Sequence, residues 1–391
     1  MHTDDDIDAL LRLVAAGGAA APRKALLDHE RSPSSALREG SALWRACRLS
    51  DAQISALLKP DEVTLENAKQ WLAQPNHHLV DWSDPDYPPL LRRSPNAPFA
   101  LFVAGDPALL WHPGVAVVGS RAATPGGRDN AAVFARAIAN AGFVVASGLA
   151  AGVDAAAHEA ALNANGSTIA VLGTGTDVAY PRGHAALHAR VAEAGAVVSE
   201  HLPATGARAE HFPSRNRILA GLSLGTLVIE AAERSGALIT ARQAAEAGRE
   251  VFAVPGSIHN PLARGCHRLI RDGAALVETA DEVIAALAPT ARELAGDLRR
   301  RLGDPTSMIR MTCQATATSG NDDRFRASGP GGPSQDADYQ KLWKALGHDP
   351  TGMDQLVERT GLTPAELSSM LLLMELDGRV TTQHGRYHRS R

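Results

Sequence analysis

Residues 115–121 read Val-Ala-Val-Val-Gly-Ser-Arg. Four apolar residues in a row stop at a glycine, a hydroxyl and a cation. A strand with one wet face alternates apolar and polar residues. An unbroken apolar run marks a strand covered on both faces. The pattern recurs at 143–145, 169–172, 196–198, 227–229, 251–254 and 274–277, and helix-length, alanine-rich segments lie between the runs. Strand and helix in alternation predict βαβ units, and hence a parallel sheet with helices on its faces.

The flanks of this core have a different texture. Residues 1–74 show short apolar stripes at Leu10, Leu11, Leu13 and Val14, at Leu26 and Leu27, and at Ile54, Leu57 and Leu58. They predict a small helical module of the SAM or helix-hairpin-helix kind. Residues 75–290 form the core, and its proline-rich entry, 75–113, reads as an extended connector. Residues 291–336 include Gly329-Pro330-Gly331-Gly332-Pro333 and predict a flexible linker. Residues 337–391 show helical periodicity over 339–346, 353–360 and 364–376, with Leu367, Met370, Leu371 and Met374 on one face. A hairpin-like end turns near His384-Gly385. That order predicts a winged helix-turn-helix. The expected fold class is therefore α/β: an extended Rossmann-like parallel sheet, an N-terminal all-α module and a C-terminal winged helix.

The chain has 391 residues and a net charge of -4, which argues against a uniformly basic coat for nucleic acid. The charge is uneven, however. Residues 1–90 hold 9 basic and 14 acidic side chains, 91–290 hold 16 of each, and 291–391 hold 14 and 13. Every basic residue in 91–290 is arginine, whose planar fork suits phosphate and stacks on bases. The start, Met-His-Thr-Asp-Asp-Asp, lacks the basic and apolar regions of a signal peptide. Cys47, Cys266 and Cys313 are scattered and odd in number, which predicts neither a disulfide framework nor a zinc site. A cytoplasmic protein with no membrane partner is the expectation.

In open parallel sheets, ligands bind beyond the carboxyl ends of the strands. Those ends carry Gly119-Ser120-Arg121, Ser147-Gly148, Gly173-Thr174-Gly175, Ser199-Glu200, Glu230 and Pro255-Gly256. Small and hydroxylic residues let backbone amides approach an anion, and the helix N-termini that follow favour it. A second segment, Phe212-Pro213-Ser214-Arg215-Asn216-Arg217, sets an aromatic beside two arginines. Arginine neutralises phosphate and phenylalanine offers a stacking face, as single-stranded nucleic acid requires. One of Arg215 and Arg217 is expected instead to pair with an acid such as Glu230 and hold the loop. Other chemistry finds little support. There is no GxxxxGK[ST], no complete GxGxxG, no GxSxG and no HExxH. Asp154 with His158, and His184 with His188, sit at helical i, i+4 spacing without a third ligand, so no metal is expected. Asp154 is read as a bracing carboxylate and His158 as a hydrogen-bonded neighbour of the crevice.

These residues resemble the DNA-processing protein A family (DprA, also called Smf). The matching text is Val117 to Arg121; Ser147 to Ala150 with Gly152, Asp154 and His158; Thr168 to Gly175; Tyr180-Pro181; Ser199-Glu200; Phe212 with Arg215-Asn216-Arg217; Ser235 to Thr240; and Val254-Pro255-Gly256. It spans roughly residues 85–285. The resemblance implies a non-enzymatic protein without cofactor that binds single-stranded DNA. It also implies a homodimer that helps load RecA recombinase during natural transformation, against single-strand-binding protein. The DNA-contacting residues it implies are Gly119, Ser120, Arg121, Ser147, Gly148, Gly173, Thr174, Gly175, Arg182, Phe212, Arg215, Asn216 and Arg217. The supporting positions are Gly152, Asp154, His158, Glu230, Ser235, Gly236 and Thr240. Arg182 follows the Tyr-Pro pair where lysine is frequent in the family, and His184 stands where asparagine is common.

An enzyme alternative is a nucleotide-hydrolysing, phosphoribohydrolase-like protein on a related core. Its Pro-Gly-Gly-x-Gly-Thr signature is missing, since neither Pro125-Gly126-Gly127 nor Pro330-Gly331-Gly332 continues correctly. Arg379, Arg386, Arg389 and Arg391 leave open a wing that grips duplex DNA and one that is merely basic and soluble.

Overall fold

The computed structural model describes residues 3–30, 32–302, 335–347, 350–377, 379–383 and 386–389. They fall into two compact units, one ending at Ala295 and the other beginning at Gly296.

The first unit is built on a nine-stranded sheet, in the order β1-β2-β6-β5-β4-β3-β7-β8-β9. Seven of its strands are those expected: β3 (Gly114–Val118), β4 (Val144–Ser147), β5 (Thr168–Val171), β6 (Ala196–Ser199), β7 (Gly225–Val228), β8 (Glu250–Ala253) and β9 (Ala275–Leu276). All of them pair in parallel. The strands β3 to β7 are buried along their whole length, which is why their sequences do not alternate. The order steps outward from β3 through β4, β5 and β6, then restarts on the other side of β3 with β7. This reversal opens a crevice at the carboxyl ends of β3, β4 and β7.

The connector expected over 75–113 needs correction. It contains β1 (His77–Asp81) and β2 (Ala100–Gly105), which pair antiparallel and extend the sheet beyond β6. Phe102 lies opposite Ser199, and Leu101, Phe102 and Val103 are fully buried. Most of the prolines, Pro85, Pro88, Pro89, Pro95 and Pro98, lie in the excursion between the two strands. That excursion is itself anchored, because the buried Tyr87 hydroxyl donates to Pro98 O at 2.8 Å.

Six helices precede the sheet: α1 (Asp4–Ala15), α2 (Ala20–His29), α3 (Pro33–Arg38), α4 (Ser41–Ala46), α5 (Asp51–Leu58) and α6 (Glu62–Leu72). The expected stripes face inward except at Leu58, which is 63% exposed. This module is not a detached domain. Leu11, Leu65 and Trp71 pack with Phe102, Leu149 and Val197 of the sheet layer, and Leu10, Leu26 and Trp44 pack with Phe99 and Ala100. The short α7 (Pro89–Arg92) lies in the β1–β2 excursion.

The sheet is covered by α8 (Pro125–Asn140), α9 (Val153–Asn163), α10 (Ala185–Ala194), α11 (His211–Leu222), α12 (Gly236–Glu246), α13 (Arg264–Arg271) and α14 (Ala280–Leu302). Thr124 caps α8 by accepting the Gly127 N–H, and Ser235 caps α12 by accepting that of Ala237. The helix α14 also corrects the expected linker boundary at 291. Helix formers such as Arg292, Glu293 and Leu294 carry it onward, and Leu294 is buried in the same cluster as Val283, Leu287 and Phe252. The glycine- and proline-rich part of the expected linker, together with Cys313, lies outside the described residues.

The second unit holds α15 (Gln335–Ala345), α16 (Met353–Thr360), α17 (Pro364–Leu376) and a small sheet, β10 (Thr351–Gly352)-β12 (Arg386–Arg389)-β11 (Val380–Gln383). It is a winged helix. Leu367, Met370, Leu371 and Met374 are buried together with Leu342, Leu346 and Leu356. Gly361 takes φ 69° between α16 and α17, the left-handed geometry that favours glycine at a helix C-terminus. The turn at 384–385 lies outside the described residues. Two of the four wing arginines serve the fold: Arg379 and Arg389 lie 4.6 and 4.5 Å from the Trp343 ring centroid, and Arg389 also donates to Trp343 O.

Candidate nucleic-acid interface

A crevice of about 630 Å³ opens where β3 ends. Its floor includes Gly119 and Ser120, and its wall includes Asn216, Ser235 and Thr240. Four arginines line it, Arg121, Arg208, Arg215 and Arg234, against one acid, Asp154. Arg121, Arg208 and Arg234 are exposed. Phe212 opens α11 at the mouth. The Arg121 guanidinium carbon lies 5.6 Å from the Phe212 ring centroid, and the Tyr180 ring lies 5.1 Å from it at 40°. Cation and aromatic face therefore stand side by side on the rim.

Beneath the crevice, buried polar groups hold the strand ends in place. Arg215 is 5% exposed and turned inward. Its Nη1 donates to Gly148 O at 3.0 Å and also to Val171 O, and its Nε donates to Asn216 Oδ1. Burial lowers its pKa to about 10, with Arg121 adding to the effect and Asp154 opposing it, so it stays charged at neutral pH. Asp154 braces the turn after β4 by accepting the N–H groups of Gly148 and Ala150. Burial raises the Asp154 carboxyl above its ordinary range, against the pull of Arg215 and those two donors. His158 is fully buried, with Nδ1 2.7 Å from Thr168 Oγ1, whose own proton goes to Val145 O. Burial, then the nearby Arg215, push the imidazole down to about 3 and keep it neutral. Gly152 has φ 81°, and a side chain there would run into the carbonyls of Ser120 and Arg121.

The thirteen positions singled out as DNA-contacting separate into two groups. Gly119, Ser120, Arg121, Phe212, Arg215 and Asn216 line the crevice. The others lie outside its lining. Ser147 donates to Val117 O and ties β4 to β3, and Gly148 is enclosed between Asp154 and Arg215. Gly173 O faces His211 Nδ1, Thr174 donates to Val178 O, and the Gly175 N–H donates to Thr205 O. Arg182 is exposed. Arg217 is the arginine that pairs with an acid, but the acid is Glu200. Glu230 instead accepts from Thr124 N–H and Oγ1 and from Asn260 Nδ2, joining β7 to the start of α8. Among the supporting positions, Ser235 and Thr240 reach the crevice wall, and Gly236 O accepts from Asn216 Nδ2.

Sequence reasoning did not single out Tyr180, Arg208 or Arg234 as site residues. Tyr180 was visible only as half of a Tyr-Pro pair, and the two arginines stand in loops without a motif. Among the described residues no group of three His, Cys, Asp or Glu could hold a metal, and no helix is long and apolar enough to cross a membrane. His184 Nδ1 and His188 Nε2 instead face the carbonyls of Leu149 and Thr176.

Fold and site together define a doubly wound α/β protein with a cationic, aromatic-rimmed crevice at its switch point, joined in sequence to a winged helix. Comparison with known proteins makes the class specific. The profile described as DNA recombination-mediator protein A matches residues 78–288, and that of the DprA winged helix domain matches residues 326–386. Protein Smf of Escherichia coli is 39% identical over 329 residues, 84% of this chain and 81% of that protein. The DNA processing protein DprA of Streptococcus pneumoniae is 47% identical over 202 residues, 52% of this chain and 71% of that protein. Its X-ray structure superposes with a TM-score of 0.63, covering 73% of this chain and 98% of that one. A Helicobacter pylori DNA processing protein A structure, described for its single-stranded DNA binding mode, has a TM-score of 0.50 at 27% identity, covering 55% of this chain and 97% of that one. The chain belongs to the DNA processing protein A (DprA/Smf) family.

Proposed function

We propose that this protein binds single-stranded DNA in the crevice at the end of β3 and acts as a non-enzymatic recombination mediator. In this role it holds the strand for RecA recombinase against single-strand-binding protein, as a cytoplasmic homodimer, during natural transformation. The observation that carries the DNA reading is the crevice itself: three exposed arginines, Arg121, Arg208 and Arg234, around the buried Arg215 and Asp154, with Phe212 and Tyr180 offering ring faces at the rim. Phosphates bind the cations and bases stack on the rings, a combination that tolerates any sequence. Family membership and the relative described for its single-stranded DNA binding mode support the same reading.

Phe212→Ala tests it through fluorescence anisotropy with a labelled oligothymidylate across a salt series. Loss of one stacked base is expected to cost about 1–3 kcal/mol. The slope of log affinity against log salt should stay as in wild type, because stacking releases no counterions. Unchanged affinity would remove Phe212 from the site.

A second expectation concerns the winged helix. With Arg379 and Arg389 packed on Trp343, removal of residues 336–391 should leave single-strand affinity within about threefold of the full chain. A larger loss, measured on the same oligonucleotide, would assign strand contacts to the wing.

A further inference from the structure

We propose that the junction between the helical module and the core carries a second phosphate subsite, formed by Lys24 and Arg92 against the ring of Trp82, which holds the DNA strand after it leaves the crevice. The inference rests on the crevice being the single-strand site and extends the path of the strand away from it.

The cluster brings together cations from three parts of the chain. Lys24 on α2 places Nζ 3.8 Å from the Trp82 ring centroid. The Arg92 guanidinium, on α7, lies 4.5 Å from the same ring and 4.9 Å from that of Tyr87, and one of its two terminal nitrogens, Nη2, donates to Asp84 O at 3.0 Å. Asp28 fixes the indole by accepting its Nε1–H at 3.1 Å. Arg217 belongs to α11, the helix whose first turn carries Phe212. It lies five positions after Phe212, roughly 7.5 Å further along the helix axis. Its Nη2 pairs with Glu200, while its Nη1 is buried with no partner.

The charges do not balance. Arg23, Lys24, Arg92 and Arg217 face Asp28 and Glu200, an excess of two positive charges. Arg23 is engaged with the carbonyls of Leu13 and Gly18 and is closed to a ligand. For Lys24, burial is the largest influence, followed by the repulsion of Arg217 and Arg92; Asp28 opposes these and Arg23 adds to them. Together they bring the ammonium down to about 8. Tyr87, the remaining titratable neighbour, is held neutral by burial. Like charges gathered at low exposure cost stability, and a bound phosphate offsets that cost.

The full-length chain is tested with oligothymidylates of about 6 and about 20 nucleotides, the short one confined to the crevice. Lys24→Gln should leave the short oligonucleotide unaffected and weaken the long one roughly five- to tenfold, with a salt slope shallower by about 0.7. Lys24→Arg should restore both. The sign of the pH effect follows from the protonated form being the one that binds phosphate. Wild-type affinity for the long strand should fall as pH rises from about 7 to 9, and Lys24→Arg should flatten that fall. Equal melting curves for the three proteins establish that they are folded. Unchanged binding of the long strand by Lys24→Gln overturns the subsite, and so does equal weakening at both lengths, which indicates a general field. Arg121→Ala keeps the two readings apart: no effect at either length rejects the crevice, whereas weakening at both lengths beside an inert Lys24→Gln rejects the subsite alone.

Discussion

Arg121→Ala is expected to weaken single-strand binding roughly ten- to thirtyfold at low salt and to make the salt slope shallower by about 0.7. Its guanidinium is exposed at the rim, beside the ring of Phe212. The side chain therefore supplies a charge to phosphate and also a face that lies along the stacking ring. Arg121→Lys separates the two contributions: it keeps the charge and the slope but gives up the planar contact, so affinity should recover only in part. Thermal stability should change little in either variant, because an exposed side chain away from buried networks contributes within about 0.5 kcal/mol. A salt titration in which Arg121→Ala matches wild type in affinity and slope would reject the crevice as the DNA site.

Arg215→Ala is expected to act in the opposite way, through stability. The substitution would leave the carbonyls of Gly148 and Val171 without their buried donor and Asp154 without its cation. Removing one partner from a buried charged cluster costs about 3–5 kcal/mol. For a unit of this size that lowers the melting temperature by on the order of 10 °C. Lysine is not expected to rescue it, since one ammonium cannot reproduce the forked contacts to both carbonyls and Asn216. A melting curve for Arg215→Ala that overlays wild type would show that the cluster is dispensable. Taken together, the two variants separate an arginine that meets the ligand from one that shapes the site.

Much of the fold was legible because burial on both faces leaves a mark that needs no neighbours to read. Runs such as 115–118 and 196–198 have no polar position, and a short strand with no polar position belongs inside a covered parallel sheet. The winged helix was legible for a similar reason, since Leu367, Met370, Leu371 and Met374 recur at helical spacing and do meet one core. The strand β2 carries the same kind of run at Leu101–Val103, yet the prolines around it dominate the local pattern. It becomes a strand through its pairing with β6, almost a hundred residues away. The start of the linker was misplaced because glycine and proline further on announce a break, whereas α14 is held by Leu294 against Val283 and Leu287.

The site was legible as a place, not as a set of contacts. Strand-end turns rich in glycine and serine pointed to the carboxyl edge of the sheet, and there the crevice lies. Which side chains face it depends on satisfaction elsewhere. Ser147 and Thr174 have the hydroxyl groups an anion would want, but those hydroxyls are already donated to Val117 O and Val178 O. Arg208 and Arg234 reach the lining from loops whose local sequence says nothing about where they will be.

The amino-acid sequence by itself therefore determined the layers and the edge at which the crevice lies, because apolar runs, helical periods and tight turns are local properties. Tertiary structure decided the division of labour among the arginines. Arg121 and Arg215 are the same residue type in equally suggestive motifs. Arg215 meets carbonyls 44 and 67 positions away in the chain and is buried by them, whereas Arg121 meets a ring and open solvent. Whether a cation is available to a phosphate depends on what the fold has already given it to bind, and those partners come from strands that only the assembled sheet brings together.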